Sequence, residues 1–146
     1  MNKAAKVIAY CLLAGILLFG LIQLIPFGKN HSNPPVLQEP DWDSAETRAL
    51  VKRACFDCHS NETIWPWYSK VAPSSWLVQR DVEQGRKKMN FSDWDRRNED
   101  GEEIREVILE GEMPLPAYLL MHPEARLTEE ETLRLIEGLM RSLPED

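Results

Sequence analysis

A chain of 146 residues has room for one domain of ordinary size once any targeting segment is set aside. Its net charge is −7, yet every one of its 24 acidic side chains lies after Phe27, together with 15 of its 17 basic ones, so the part beyond residue 27 carries −9. An acidic surface of that size argues against nucleic acid as a partner, and it suits solubility or docking to a basic patch on another protein.

Residues 7–27 run VIAYCLLAGILLFGLIQLIPF without a charge, with Gln23 as the single amide. Twenty-one such residues span the hydrocarbon of a bilayer as a helix. Lys3 and Lys6 precede the run, so the positive-inside rule leaves the N-terminus cytoplasmic and sends the remainder outward. The run is longer than a signal-peptide h-region, and no A-x-A-like site closes it. Residues 1–27 therefore read as an uncleaved anchor, and Cys11 as an apolar membrane residue. Residues 28–41, with Pro34, Pro35 and Pro40, read as an extended tether, and residues 42–146 as the domain it carries.

Asp43-Ser44-Ala45-Glu46 marks a helix start. Ala45, Ala49 and Leu50 recur along the helix at its own spacing and give it a small-residue face suited to a close helix crossing. The helix leads into Cys55, Phe56, Asp57, Cys58 and His59, a C-x-x-C-H pentad, the attachment signature of a c-type haem. Two thiols three positions apart each reach one vinyl group on the same haem edge. The imidazole that follows reaches the iron from one face. Two other chemistries use the same residue types. A structural zinc needs further ligands, but no second Cys pair exists, and His31 and His122 are poorly placed to help. A thioredoxin-like pair needs a βαβ context, and none follows. About 100 residues make a small core by themselves. Five Trp, three Tyr and four Phe suggest an aromatic-lined cavity that a porphyrin would fill.

Pro66 turns the stretch after the pentad into a loop bearing Trp65, Trp67 and Tyr68, laid either on a haem or on a hydrophobic neighbour. Ser74 or Ser75 caps a second helix from Trp76 to about Lys88. Arg86, near its end, is either a partner for a haem propionate or a solvated helix terminus. Asn90 to Trp94 suggests a short helical turn, and the charged run from Asp95 to Gly101 an exposed one. A third helix begins at Glu102, with Ile104, Val107 and Ile108 on one face and Gly111 just past its end. Met113 then precedes Pro114 and Pro116 in a stiff loop, 54 residues after His59, far enough to reach the opposite haem face as sixth ligand. Met121 and His122 are the next candidates, an open site is a further one, and Met89 and Met140 rank lower because they lie on helices. The last helix starts at Thr128 with Glu131 completing a capping box, carries a stripe of Leu133, Ile136, Met140 and Leu143 flanked by Leu135 and Leu139, and packs across the first. The class is all-α.

The pentad, the Ile/Val helix ending in Gly, and Met-Pro before a final helix resemble a monohaem c-type cytochrome. More narrowly, Cys55 to Ser60, Trp65-Pro66-Trp67-Tyr68-Ser69, Ala72 to Trp76, Gly85-Arg86 and Asn90-Phe91-Ser92-Asp93-Trp94 resemble the small bacterial haem-binding domain family over roughly residues 50–143. The resemblance implies one covalent haem c and an extracytoplasmic setting, and says little of physiological role. Cys55 and Cys58 are expected to hold the porphyrin, with His59 and Met113 as the iron ligands. The expected function is a single-pass inner-membrane cytochrome, its cytochrome c-like haem domain periplasmic, passing single electrons to a protein partner, with no catalytic residues of its own. A peroxidase-like enzyme or a small-molecule sensor with an open or displaceable sixth site is the alternative.

Overall fold

A computed structural model describes residues 2–94 and 101–143. It is all-helical, with no strand among the described residues. The chain divides into two compact units: Met1–Ser32 with Trp65–Asp81, and Asn33–Ile64 with Val82–Asp146.

The first unit holds α1 (Lys3–Ile22), whose N-terminus is capped by the Asn2 side chain accepting the Ala5 N–H at 2.9 Å. None of its side chains is buried. This 20-residue helix contains an 18-residue stretch of mean hydropathy 2.3, none of it buried, and is long and apolar enough to cross a membrane. Just past its end the Gln23 side chain pairs with both backbone groups of Ala72. It accepts the Ala72 N–H and donates to the Ala72 carbonyl, each at 2.9 Å. Gly28 has φ +79° and lies against Ser75 so closely that a Cβ would stand 2.6 Å from the Ser75 carbonyl oxygen. Only glycine combines that dihedral with that approach. His31 stacks on Trp65 at 4.5 Å, and its Nε2 lies 3.0 Å from the Ser69 carbonyl. A 3-10 turn, Trp67–Lys70, completes this unit's loop.

In the second unit α2 (Ala45–Ala54) runs into α3 (Phe56–His59); α5 (Gly101–Leu109), α6 (Pro116–Met121) and α7 (Glu129–Ser142) follow. The helix α4 (Ser74–Lys88) gives its first half to one unit and its second half to the other. Ser44 caps α2 by accepting the Thr47 N–H at 3.1 Å. Thr128 and Glu131 cap α7 reciprocally, as the sequence indicates. The core joins Leu50, Val51, Phe56, Met89, Phe91, Ile104, Leu135, Leu139 and Leu143.

α7 packs across both α2 and α5. The close crossing expected of α2 exists, but its small residues are not Ala45 and Ala49, which are exposed. It is made by Thr47 against Gly138, where a Cβ would fall 2.1 Å from the Thr47 hydroxyl oxygen. The α7 stripe is rotated accordingly. Leu135, Ile136, Leu139 and Leu143 are buried, while Leu133 is exposed. Gly138 draws α7 inward along its own line, and that turns the neighbouring leucines toward the core. Asn90 to Trp94 forms a turn with no helix. Gly101, expected to be exposed, is buried as the first residue of α5, and the rest of that charged run lies outside the described residues. Within residues 28–41, the stretch 33–38 is extended and bonded along the second unit, by Asn33 to the Thr63 carbonyl, Asn61 to the Pro35 carbonyl, and the Leu37 N–H to the Ser92 carbonyl.

Candidate functional site

The pentad occupies α3 and the residue before it, and its backbone is held from several directions. The first is α4. Gly85 passes so close that a Cβ there would stand 2.5 Å from the Cys58 carbonyl oxygen. Arg86, one residue on, donates from Nε to the Ser60 carbonyl at 2.7 Å, and from Nη2 to Asn33 and Thr63. It is therefore neither a free helix end nor a spare cation, because its guanidinium is spent on the turn after His59. The second is the segment after α4. The Phe91 N–H donates to the His59 carbonyl at 2.8 Å, the Asn61 N–H to the Ser92 hydroxyl at 3.0 Å, and the Asn90 amide to Asn61 at 3.0 Å. Phe91 also stacks between Phe56 and Trp94. The third is Asp57 itself. One carboxylate oxygen accepts the Ile64 N–H at 2.9 Å and the other the Tyr118 hydroxyl at 2.8 Å.

A cavity of about 220 Å³ opens beside this turn, entirely within the second unit. Cys55, His59 and Met113 line it, along with Ile104, Val107, Ile108, Leu135 and Leu139. Met89 and Phe91 line it too, and Lys88, Arg126, Glu112 and Thr132 are its polar members. Cys58 is not a lining residue; it lies one turn away on α3, beneath Gly85. The aromatic lining expected from composition reduces to Phe91. Trp65, Trp67 and Tyr68 do not line the cavity, while Trp42 and Trp94 pack behind Phe91 in the core. Of the further candidates for a sixth ligand, Met121 is exposed. His122 stacks on Tyr118 at 4.3 Å and pairs with Glu124 at 3.0 Å, and neither residue lines the cavity.

Burial, then the hydrogen bonds it receives, decide the state of the polar groups. Burial pushes the Cys55 thiol up to about 12, with the neighbouring Cys58 adding to the effect. Cys55 is thus a neutral S–H, poor as a nucleophile and as a zinc ligand. Among the described residues no group of three or more His, Cys, Asp and Glu gathers to hold a metal ion. Burial lowers the pKa of His59 and favours neutral imidazole. Its Nδ1 stands 3.3 Å from the Met89 carbonyl, so a proton on Nδ1 has an acceptor and Nε2 keeps its lone pair. Burial and the charge of Asp57 raise the pKa of Tyr118, leaving it a hydroxyl donor. Met113 is 36% exposed, and its loop is tied to α5 by the Glu112 and Met113 N–H groups, which share the Val107 carbonyl at 3.0 and 3.1 Å. Gly111, at φ +72°, turns the chain there.

A haem fits this donor set. The hollow is lined mainly by apolar side chains, which a flat apolar ring would cover. His59, Met113 and the thiol-bearing Cys55 line the space, and Lys88 and Arg126 can hold anionic substituents. Asp57, Tyr118 and Arg126 escaped the sequence reading. The one signal available for them was a Tyr set among Pro and Leu, whose hydroxyl needs a partner when buried.

Residues 17–141 match the family described as haem-binding domain. No curated protein and no solved structure gives a significant match. The match covers most of the chain, from within α1 to the end of α7, and the chain belongs to the haem-binding domain family.

Proposed function

We propose that this haem-binding chain is a c-type cytochrome that passes single electrons, anchored in a bacterial inner membrane by residues 7–27 with its haem on the periplasmic side. The observation that carries the reading is that Cys55, His59 and Met113 face one apolar cavity. Cys55 and Cys58 would supply the thiols for two thioether links, and His59 Nε2 and the Met113 sulfur would be the donors to the haem iron. Lys88 and Arg126 would hold the propionates. When bound, the haem supplies a one-electron iron couple. The residues do the rest. The Met89 carbonyl fixes the His59 tautomer and raises its basicity. The thioether of Met113 adds no charge, and the walls are mainly aliphatic, so few groups of the protein need rearrange as the charge of the site changes by one. Lys3 and Lys6 at the N-terminal end of α1, and the apolar run that follows them, support the topology.

The exposure of Met113 favours a second reading, in which a small molecule displaces it and the protein acts as a sensor or a peroxidase-like enzyme. Absorption spectra separate the two. The carrier shows a sulfur-to-iron charge-transfer band in the oxidised protein and loses it in Met113→Ala. A band that survives the substitution removes Met113 from the site, and a high-spin spectrum in the native protein with rapid carbon monoxide binding selects the second reading. Mass spectrometry of the membrane-extracted chain reports whether haem is covalently added and whether residues 1–27 remain. Free thiols at Cys55 and Cys58 in cells that make c-type haem proteins end the proposal.

A further inference from the structure

The clasp between Gln23 and Ala72 has a bearing on the bilayer. Resting on the reading of α1 as a membrane span, we propose that the loop of residues 65–77 lies on the outer surface of that same bilayer, with Trp67 inserted among the lipid headgroups.

Gln23 stands one residue beyond the end of α1, and the charge-free part of that helix, residues 7–22, is about 24 Å long, so Gln23 falls at the outer end of the span. Its amide is fully committed: it donates to the carbonyls of Phe19 and Ala72 and accepts the Ala72 N–H. Ala72 is thereby held within 3 Å of a residue at the membrane boundary. Two further contacts in the same unit fasten the loop. Gly28 lies against Ser75, and His31 stacks on Trp65 while reaching the Ser69 carbonyl. Five residues before Ala72, Trp67 is 73% exposed, with Tyr68 edge-on to it at 5.9 Å. An exposed Trp beside a Tyr is costly in water and favoured at the headgroup level. Leu24, Ile25, Phe27 and Leu77, close in sequence to the clasped residues, are exposed as well.

Charge points the same way. Beyond the span this unit carries Lys29, Lys70 and Arg80 against one carboxylate, Asp81. The other unit carries 12 basic and 23 acidic side chains. The piece fastened to α1 is thus net +2 beyond the span and the other unit net −11, so anionic headgroups attract the first and repel the second.

The test uses the full chain in its native membrane, with Trp67 replaced by the photo-crosslinker p-benzoylphenylalanine and, as a control, Leu133 replaced in the same way. Illumination is expected to give a lipid adduct at position 67, detected by mass spectrometry, and none at position 133. Gln23→Leu, which keeps the span apolar but removes the clasp, should lose most of the adduct at 67. A chain retained in carbonate-washed membranes that gives no lipid adduct at 67, or only adducts to a protein, overturns this inference and leaves the anchor standing. A chain that carbonate releases overturns the membrane reading itself, and this inference with it. Equal lipid adducts at 67 and 133 also overturn it, because the loop is then not the part that faces lipid.

Discussion

The two walls of the cavity are built differently. On the His59 side, the backbone from Cys58 to Asn61 is held by Arg86, Phe91 and Ser92 and pressed by Gly85, each at a short, specific distance. On the Met113 side, a loop hangs from the Ile108 and Val107 carbonyls, which accept the Gly111, Glu112 and Met113 N–H groups, and from the Tyr118 hydroxyl five residues beyond Met113. The first wall is set by the protein's own bonds. Among the described residues the second has fewer, so the two walls differ in how firmly the protein's own bonds hold them.

The largest effect that would test this difference is at Gly85. A glycine in a helix interior ordinarily gains about 0.5–1 kcal/mol when replaced by Ala. Here the added Cβ meets the Cys58 carbonyl oxygen at 2.5 Å and its carbon at 2.9 Å, both backbone atoms that cannot swing aside. Gly85→Ala should therefore destabilise by about 3 kcal/mol or more, read by urea unfolding followed at the Soret peak. A stabilised variant would mean the His59 wall is not rigid. Arg86→Lys comes next. It keeps the charge and loses the fork that reaches Ser60, Asn33 and Thr63 together, at a cost of about 2 kcal/mol in the same assay.

On the other wall, Tyr118→Phe removes a single bond to Asp57 and should cost about 1 kcal/mol. Its sharper signature is local. Hydrogen exchange should quicken over residues 112–121 and stay unchanged over residues 58–61. Exchange that rises equally at both would make the walls one cooperative piece and remove the contrast.

How far the sequence foretells this site follows from which signals are local. The helices were legible because apolar spacing and caps are written within each segment; the Thr128–Glu131 box is found where it is read. The pentad is legible because its five residues are adjacent in sequence and the motif has a fixed spacing. The partners of the pentad were not. Gly85 looks like any helix glycine until α4 is seen to cross the Cys58 carbonyl, and Arg86 looks like a solvated end until Asn33 and Thr63 are brought beside it. Asp57 fills a position the motif leaves free, and its two acceptors matter only because Ile64 and Tyr118 arrive from 7 and 61 residues away. The stripe of α7 was misread by part of a turn for a similar reason. Which leucines face inward is set by where Gly138 lets α2 approach, and that is a property of two helices rather than one.

The smallest effect is in acid. The bonds that Arg86, Asn90, Phe91 and Ser92 make to residues 59–61 join amides, hydroxyls, a guanidinium and carbonyls, which do not change charge between pH 5 and pH 2. The ionic ties elsewhere in this unit do. The Arg48 guanidinium holds Glu39 below the usual carboxylate range, the Thr47 and Arg141 hydrogen bonds hold Asp43 below it, and Arg53 with the Thr128 N–H lowers Glu131 to about 2. A carboxylate with a depressed folded pKa contributes stability that is present above its unfolded value and lost as pH falls through the folded one. For Glu131 that window runs from about 4.5 down to about 2. Stability should decline across it, modestly because these groups are largely solvent-screened. The loss should appear first where these carboxylates act, at the start of α2, the cap of α7 and the Arg53 tie between the two helices. Exchange-protected amides at residues 58–61 that outlast those of α7 on acidification would support the division. Simultaneous loss would show that the rigid wall depends on the ionic frame around it.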